Sequence, residues 1–405
     1  MKYVKPFLYD SSVSAEFQEK LKQRVQDHFQ IHRMTTHGGP MMFVKSALFV
    51  ATYWWIWSQI ALKPHSFWVS FALLIGLALT TILVAFNVSH DAVHGSLTPS
   101  RRLNSWIFNL TFNPLGPNAY LWKIRHLNAH HFFVNIPGSD MDIEATKVLR
   151  VAPHVRWYPA HRFQHYYFVL AYSLFTMNWI FIKDFQIFRM KTFGGVTDLK
   201  HSPWRFVELV AWKVVYVGLM IGIPAAVLPY KLSTVLTAFV LFHMFQSAVL
   251  LILFAASHIS EKSHYVVQEE NGYIPHSFIE HQLLTSVDYA PRSFWMGILF
   301  GGFNAHVAHH IFPNTCSTHY PEISRIIKNT ALEYGLPYQE TTFFGVIASH
   351  FRMMKRLGEK PGSCQEFVIR APEEKAYVTE GATSSAVNHL PNSAFTSEIS
   401  SEVNL

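Results

Sequence analysis

The sequence predicts an all-α integral membrane protein with two transmembrane helical hairpins, four spans in all, carrying a cytoplasmic helical cap. Three observations predict it. Only 15% of the 405 residues are charged while 50% are hydrophobic, against about a quarter charged in soluble domains. Long apolar runs pair off across very short polar breaks. Lys and Arg collect on one side of those runs.

Residues 1–40 are mixed polar and charged, with no early apolar run, and read as a cytoplasmic segment rather than a signal peptide. The first apolar run is 46–62, with Trp54, Trp55 and Trp57 placed to meet headgroups. The second, 66–88, contains no charge. Lys63, Pro64 and His65 are nearly all that separates them. The fourth and fifth runs, 207–230 and 232–257, are divided by little more than Pro229, Tyr230 and Lys231. A span needs about 20 mainly apolar residues, and breaks this short force antiparallel hairpins, at about 46–88 and 207–257.

The stretch between the hairpins carries Arg101, Arg102, Lys123, Arg125, Arg150, Arg156, Arg162, Lys183, Arg189 and Lys191, whereas the turns hold only Lys63 and Lys231. The excess of basic residues places both termini and this stretch in the cytoplasm. A third run, 166–182, reads as an interfacial or re-entrant helix, because a full crossing would put the histidine clusters before and after it on opposite sides of the membrane. Segments 106–122 and 294–303 are too short to span and read as dipping into the membrane. Residues 41–360 form one domain, and the polar tail 361–405 reads as disordered.

The net charge of +7 fits a basic cytoplasmic face and not a nucleic-acid binder. Two cysteines exclude a disulfide scaffold and a thiolate metal site. The 24 histidines are the anomaly. His90-Asp91-Ala92-Val93-His94 follows the second run. His126-Leu127-Asn128-Ala129-His130-His131 and His306-Val307-Ala308-His309-His310 form two further clusters, and His258 follows the last run. On an α-helix, residues four apart share a face. That pairs His90 with His94 and His126 with His130, leaves His131 about 100° round, able to reach a second metal, and groups His306, His309 and His310. Surface histidines of a basic loop are the plain alternative, against which two doublet-bearing clusters speak. One metal takes about four to six ligands, so nine imidazoles suit two metals. Such a site, free of thiolate and beside apolar helices, points to non-haem iron and oxygen chemistry on a lipid. An ion path through a transporter would place histidines within the spans instead.

Asp91, Asp140, Asp142 and Glu144 lie nearest the clusters and are candidates to accept the second N–H of a ligating imidazole. His281 is a candidate tenth ligand or outer donor, with a structural place in its turn as the plainer reading. His243, mid-span, reads as a packing or channel residue. His161, His165, His264 and His276 read as loop or surface residues. Trp122 reads equally as a tunnel wall or an interfacial anchor.

These residues resemble the membrane-bound fatty acid desaturases, over roughly residues 40–360. His90–Gly95 is similar to their first histidine box. Trp122 through His131, followed by Asn135-Ile136-Pro137-Gly138-Ser139-Asp140, is similar to the second. His281 through Asp288 is similar to the segment before the third, and His309-His310-Ile311-Phe312-Pro313, continuing to His319-Tyr320-Pro321, to the third and its tail. The nearest likeness is to bacterial acyl desaturases related to the front-end type, although His306 stands where those enzymes usually have Gln.

The resemblance implies two iron ions held by the nine histidines, O2 as co-substrate, and a double bond made in a lipid- or CoA-linked fatty acyl chain. A hydroxylase or epoxygenase of the same superfamily is the alternative. It implies a multi-pass protein of a bacterial inner membrane or the endoplasmic reticulum, with the site on the cytoplasmic side. His37-Gly38-Gly39-Pro40 has the wrong order for the haem motif of a fused cytochrome b5. Electrons are therefore expected from a ferredoxin or cytochrome b5 type carrier and its reductase, docking on Arg150, Arg156, Arg162, Arg189 and Lys191.

Overall fold

The computed structural model describes residues 2–3, 8–10, 15–141, 143, 147–192, 194, 196–268, 272–274 and 276–370. Asp142, Glu144 and the tail from 371 lie outside them.

Helix α1 (Ala15–Ile31) buries Phe17, Leu21, Val25 and Phe29, a stripe at helical spacing. Helices α2 (Pro40–Leu62) and α3 (Phe67–Val93) form the first hairpin. The end of α3 is wound as a π turn over Ala85–Ser89, immediately before His90. The amphipathic α4 (Arg101–Phe112) starts on a Ser100 cap, turns Asn104, Phe108 and Phe112 inward and leaves Leu103, Trp106 and Leu110 exposed. Helix α5 (Ala119–Arg125) is capped by Asn118 and runs into a second π turn, His126–His130. Helices α6 (Gln164–Ser173) and α7 (Asp184–Arg189) bracket a bent helical stretch. Helices α8 (Pro203–Val227) and α9 (Leu232–Ala255) form the second hairpin.

Among the described residues three helices, α3, α8 and α9, are long and apolar enough to cross a membrane. Helix α2, with 23 residues, matches them in length but not in apolar character. The two hairpin turns touch: Tyr230 Oη accepts from His65 N–H at 3.1 Å and donates to His65 O at 3.0 Å.

The third apolar run bends between the hairpins. Its middle is pinned to α9, where Thr176 N–H donates to Ser247 Oγ at 3.0 Å and Thr176 Oγ1 lies 2.8 Å from His243 Nδ1. The other nitrogen of His243 meets Tyr216 Oη at 2.8 Å, so this residue has a packing role. One arm returns to the C-terminal end of α9, since Tyr172 meets His350 and His350 bonds Ile259 O. The other arm returns along α8 through the ion pair Asp184–Lys213 (2.5 Å) to Phe188 beside Phe206. Both arms therefore end beside the same end of the second hairpin.

The remaining helices form the cap: α10 (Phe278–Thr285), α11 (Phe294–Phe300), α12 (His306–Ile311), α13 (Tyr320–Glu333) and α14 (Phe343–Gly358). Described parts of the first forty residues pack on the cap. Helix α1 packs on Ile323, Ile327 and Ala331 of α13, Arg24 pairs with Glu333 at 2.7 Å, and strand Leu8–Tyr9 pairs in parallel with Tyr273–Ile274.

Candidate metal centre

The nine histidines named from the sequence converge, each 5% exposed or less. They sort into two groups whose nitrogens lie within 4.8 Å of one another: His90, His94, His126 and His309, and His130, His258, His306 and His310. His131 stands between them, its ring 4.5 Å from that of His309 and 4.6 Å from that of His310. His126 Nε2 lies 3.2 Å from His90 Nε2, 3.0 Å from His94 Nε2 and 3.1 Å from His131 Nε2. In the second group His306 Nε2 lies 2.7 Å from His258 Nε2 and 3.2 Å from His310 Nε2.

Neutral imidazole has one donor and one acceptor nitrogen. One Nε2 facing three others cannot be satisfied by hydrogen bonds alone, because its single proton or lone pair serves one neighbour. A cation resolves this. Nitrogens about 2.1 Å from an ion stand about 3 Å apart when adjacent, the spacing seen here. The donor set fits imidazole-binding metals such as iron. Burial first, then neighbouring imidazoles, hold His94, His126, His131, His306, His309 and His310 well below the ordinary histidine range, in the neutral form that binds metal.

The second π turn alters the pairing read from α-helical spacing. It closes through the His131 N–H to His126 O bond, which brings His126 to His131 and sends His130 to the other group. The third cluster divides likewise, His306 and His310 to one group and His309 to the other.

Of the four acidic candidates Asp91 and Asp140 are among the described residues, and the imidazoles also meet other partners. His258 Nδ1 donates to Thr285 O at 3.1 Å, leaving Nε2 facing the group. His309 Nδ1 lies 3.3 Å from Tyr320 Oη. The Asp91 carboxylate accepts from Ser317 Oγ (2.7 Å), Ser317 N–H (3.3 Å) and Cys316, tying the first box to the segment after the third. Asp140 accepts Asn135 N–H at 2.9 Å and approaches His130 Nδ1 only to 3.7 Å. Asn135, at φ +56°, donates its amide to His258 O and His264 O. Asp288, fully buried, accepts Val307 N–H (2.8 Å), Ser324 Oγ–H (3.2 Å) and Tyr338 Oη–H (2.5 Å), anchoring the start of α12. Tyr9 Oη donates to Phe132 O beside the second box. Sequence reasoning assigned no role to Asn135, Asp288, Ser317 or Tyr320, although each stands in or next to a quoted motif.

His281 donates Nε2–H to Val134 O at 2.8 Å and accepts from His276 on Nδ1 at 3.1 Å. Both nitrogens are used, so it braces the second box from outside. His276 and His161 are buried, not surface, residues; His161 donates to Lys147 O. Trp122 stacks on His126, ring centroids 4.3 Å apart and 13° from parallel, so it walls the site. Arg150, expected on a docking face, is 3% exposed and gives its guanidinium to the carbonyls of Val155, Leu357 and Pro153. Arg156, Arg162, Arg189 and Lys191 are exposed.

Comparison with known proteins agrees with this geometry. The family model described as "Fatty acid desaturase" matches residues 64–342. The chain is 29% identical over 352 residues to an "sn-1 linoleoyl-lipid 6-desaturase" of Arthrospira platensis, covering 86% of this chain and 94% of that protein. It is 30% identical over 356 residues to an "Acyl-lipid (8-3)-desaturase" of Mortierella alpina, covering 85% and 78%, and 27% identical to one of Physcomitrium patens, covering 86% and 73%. The family match runs from the start of α3 through the second hairpin and takes in all three histidine clusters, and the chain belongs to the fatty acid desaturase family.

Proposed function

We propose that this membrane fatty acyl desaturase makes its double bond in a lipid-linked acyl chain, at two irons held by His90, His94, His126, His130, His131, His258, His306, His309 and His310. The observation that carries the proposal is the pair of buried four-imidazole groups, with His131 between them. The names of these relatives share an acyl-lipid substrate and differ in position, so lipid linkage is the part that transfers.

Iron bound there supplies the oxygen-dependent redox chemistry that breaks an unactivated C–H bond, which no side-chain acid or base can do. The chain's own groups do the rest. Thr285 O and Tyr320 orient His258 and His309. Trp122, Phe112 and Phe108 form an apolar wall against His126 that excludes water and suits an alkyl chain. Which carbons are attacked then depends on where that wall holds the chain.

The topology we propose has four spans, α2, α3, α8 and α9, with the third run re-entrant and the histidines on the cytoplasmic side. The contact between the hairpin turns and the return of both arms of the bent stretch support it. Residues 41–360 make up the desaturase domain. Electrons come from an external carrier and its reductase, with Arg156, Arg162, Arg189 and Lys191 as the accessible basic residues.

The test is expression in a host lacking the activity, with mass spectrometry of intact lipids and of their fatty acids. Lipids two hydrogens lighter are expected. A product heavier by one oxygen would make the protein the hydroxylase or epoxygenase instead.

A further inference from the structure

Helix α14 has two unlike faces. Val346, His350, Met353, Met354 and Leu357 are buried. The opposite row is Phe344, Ala348, Phe351 and Lys355, all exposed, Phe344 by 78%. Along that row the character changes from apolar to basic, and Arg352 beside it is exposed as well.

Helix α6 lies antiparallel beside α14. Gln164 donates to Met354 O, Phe168 packs on Phe351 at 4.7 Å, and Tyr172 meets His350. The outward row of this neighbour, Phe163, Tyr166, Leu170 and Leu174, is apolar and 47–79% exposed. Arg162 stands at the end where Lys355 lies. Each helix thus carries an exposed cation at the same end, Arg162 and Lys355, beside an outward row that is apolar elsewhere.

Depth is set by α9. Phe343 packs in one cluster with Leu253, Val249 and Leu250, residues about 3–9 Å before the end of α9 by helical rise. The start of α14 therefore lies level with the last two turns of a membrane span. Its other end packs on Val155 and Tyr265 of the cap. An amphipathic helix with apolar residues at bilayer depth and cations at its shallow end is built to lie in the headgroup boundary.

We propose that the outward row of α14 is a lipid-contacting face: Phe344, Ala348 and Phe351 lie among acyl chains at the edge of the bilayer core, and Lys355, with Arg162 near it, meets lipid phosphates. The proposal goes beyond the reading above, which assigns α14 no membrane contact, and rests on α9 being a span.

The test uses full-length protein bearing Phe344→Cys, Ala348→Cys, Lys355→Cys or, as a control within α9, Leu241→Cys. Each is nitroxide-labelled and placed in phosphatidylcholine–phosphatidylglycerol nanodiscs. Cys316 and Cys364 are buried, and unsubstituted protein gives their background. All four positions but Ala348 are large exposed side chains, and Ala348 is exposed too, so the fold is kept. Collision rates with oxygen, which concentrates in lipid, are compared with those of a water-soluble nickel chelate. The oxygen-to-nickel ratio is expected to be high at 241, several-fold above the aqueous value at 344 and 348, and near aqueous at 355. Aqueous ratios at 344 and 348 with a high ratio at 241 would overturn the proposal and leave the span intact. An aqueous ratio at 241 would remove both. Dipolar broadening at 344 that vanishes on dilution with unlabelled protein would mean a second copy covers the face, which also overturns it.

Discussion

His126 and His131, five residues apart, bring their Nε2 atoms within 3.1 Å of one another, while His130 turns to the other group of imidazoles. The π turn, one residue wider than an α turn, makes i and i+5 the aligned pair. One short segment thereby serves both groups. His126 faces three other Nε2 atoms, and its loss removes more than one ligand's worth of order. His126→Ala is expected to lower bound iron from about two per chain to one or fewer and to abolish desaturation. His32→Ala, on the exposed end of α1, should change neither. Elemental analysis of purified protein with product assays checks both.

The ion pair Asp184–Lys213 is buried, with Lys213 also donating to Gly116 O at 2.7 Å and Asp184 accepting Asn118 N–H and Trp179 Nε1–H. It holds the turn that starts α5. Removing one partner leaves a buried charge, a loss of about 3–5 kcal/mol. Lys213→Met alone should aggregate or unfold early in detergent. Asp184→Asn/Lys213→Met, which keeps a carbonyl acceptor for Asn118, should recover much of the loss. Thermal unfolding followed by size-exclusion chromatography tells the two apart.

Gly301 has φ +55°, and a Cβ there would stand 2.4 Å from Phe86 O in the π turn before His90. Gly301→Ala must either push that turn or unwind its own, a cost of about 1–3 kcal/mol. Lower thermal stability together with reduced iron content is expected. Gly297→Ala, where a Cβ meets nothing within 4 Å, is the matched control and should behave as wild type.

His350 is fully buried, and burial pulls its pKa down to about 4. Because the folded value lies below the unfolded value of about 6.5, the neutral ring stabilises the fold in full above pH 6.5. That contribution fades as pH falls from 6.5 towards 4, by up to about 3 kcal/mol. His350→Gln, which can still donate to Ile259 O, should show a shallower fall in melting temperature between pH 7 and pH 5 than wild type. An equal fall would show that His350 is not a source of the acid sensitivity.

The histidines were legible because clustering and position at helix ends are properties of the string itself. The hairpins were legible from two breaks of a few residues each. The division of labour among the histidines was not, since α-helical spacing misses a π turn that no residue type announces. The outer partners were also hidden. A carboxylate near a histidine invites pairing, yet Asp91 is spent on Ser317, while Thr285 contributes only a backbone carbonyl that any residue could supply. Arg150 looked like surface charge because sequence does not show that Val155, Leu357 and Pro153 turn three carbonyls toward it. The short apolar run 166–182 was read as re-entrant from the need to keep the boxes together; what bends it was hidden, because its partners His243, Ser247 and Lys213 lie far along the chain from Thr176 and Asp184.

Both imidazole groups draw a member from α12, the last of the histidine segments to be made. A nascent chain that has left the ribosome only as far as α10 holds six of the nine imidazoles and no complete group. Both hairpins have then already been synthesised, and insertion into the bilayer can precede metallation. Before α12 is made the first group holds His90, His94 and His126 but lacks His309, and the second holds His130 and His258 but lacks His306 and His310, so the last short helix closes both groups in one step.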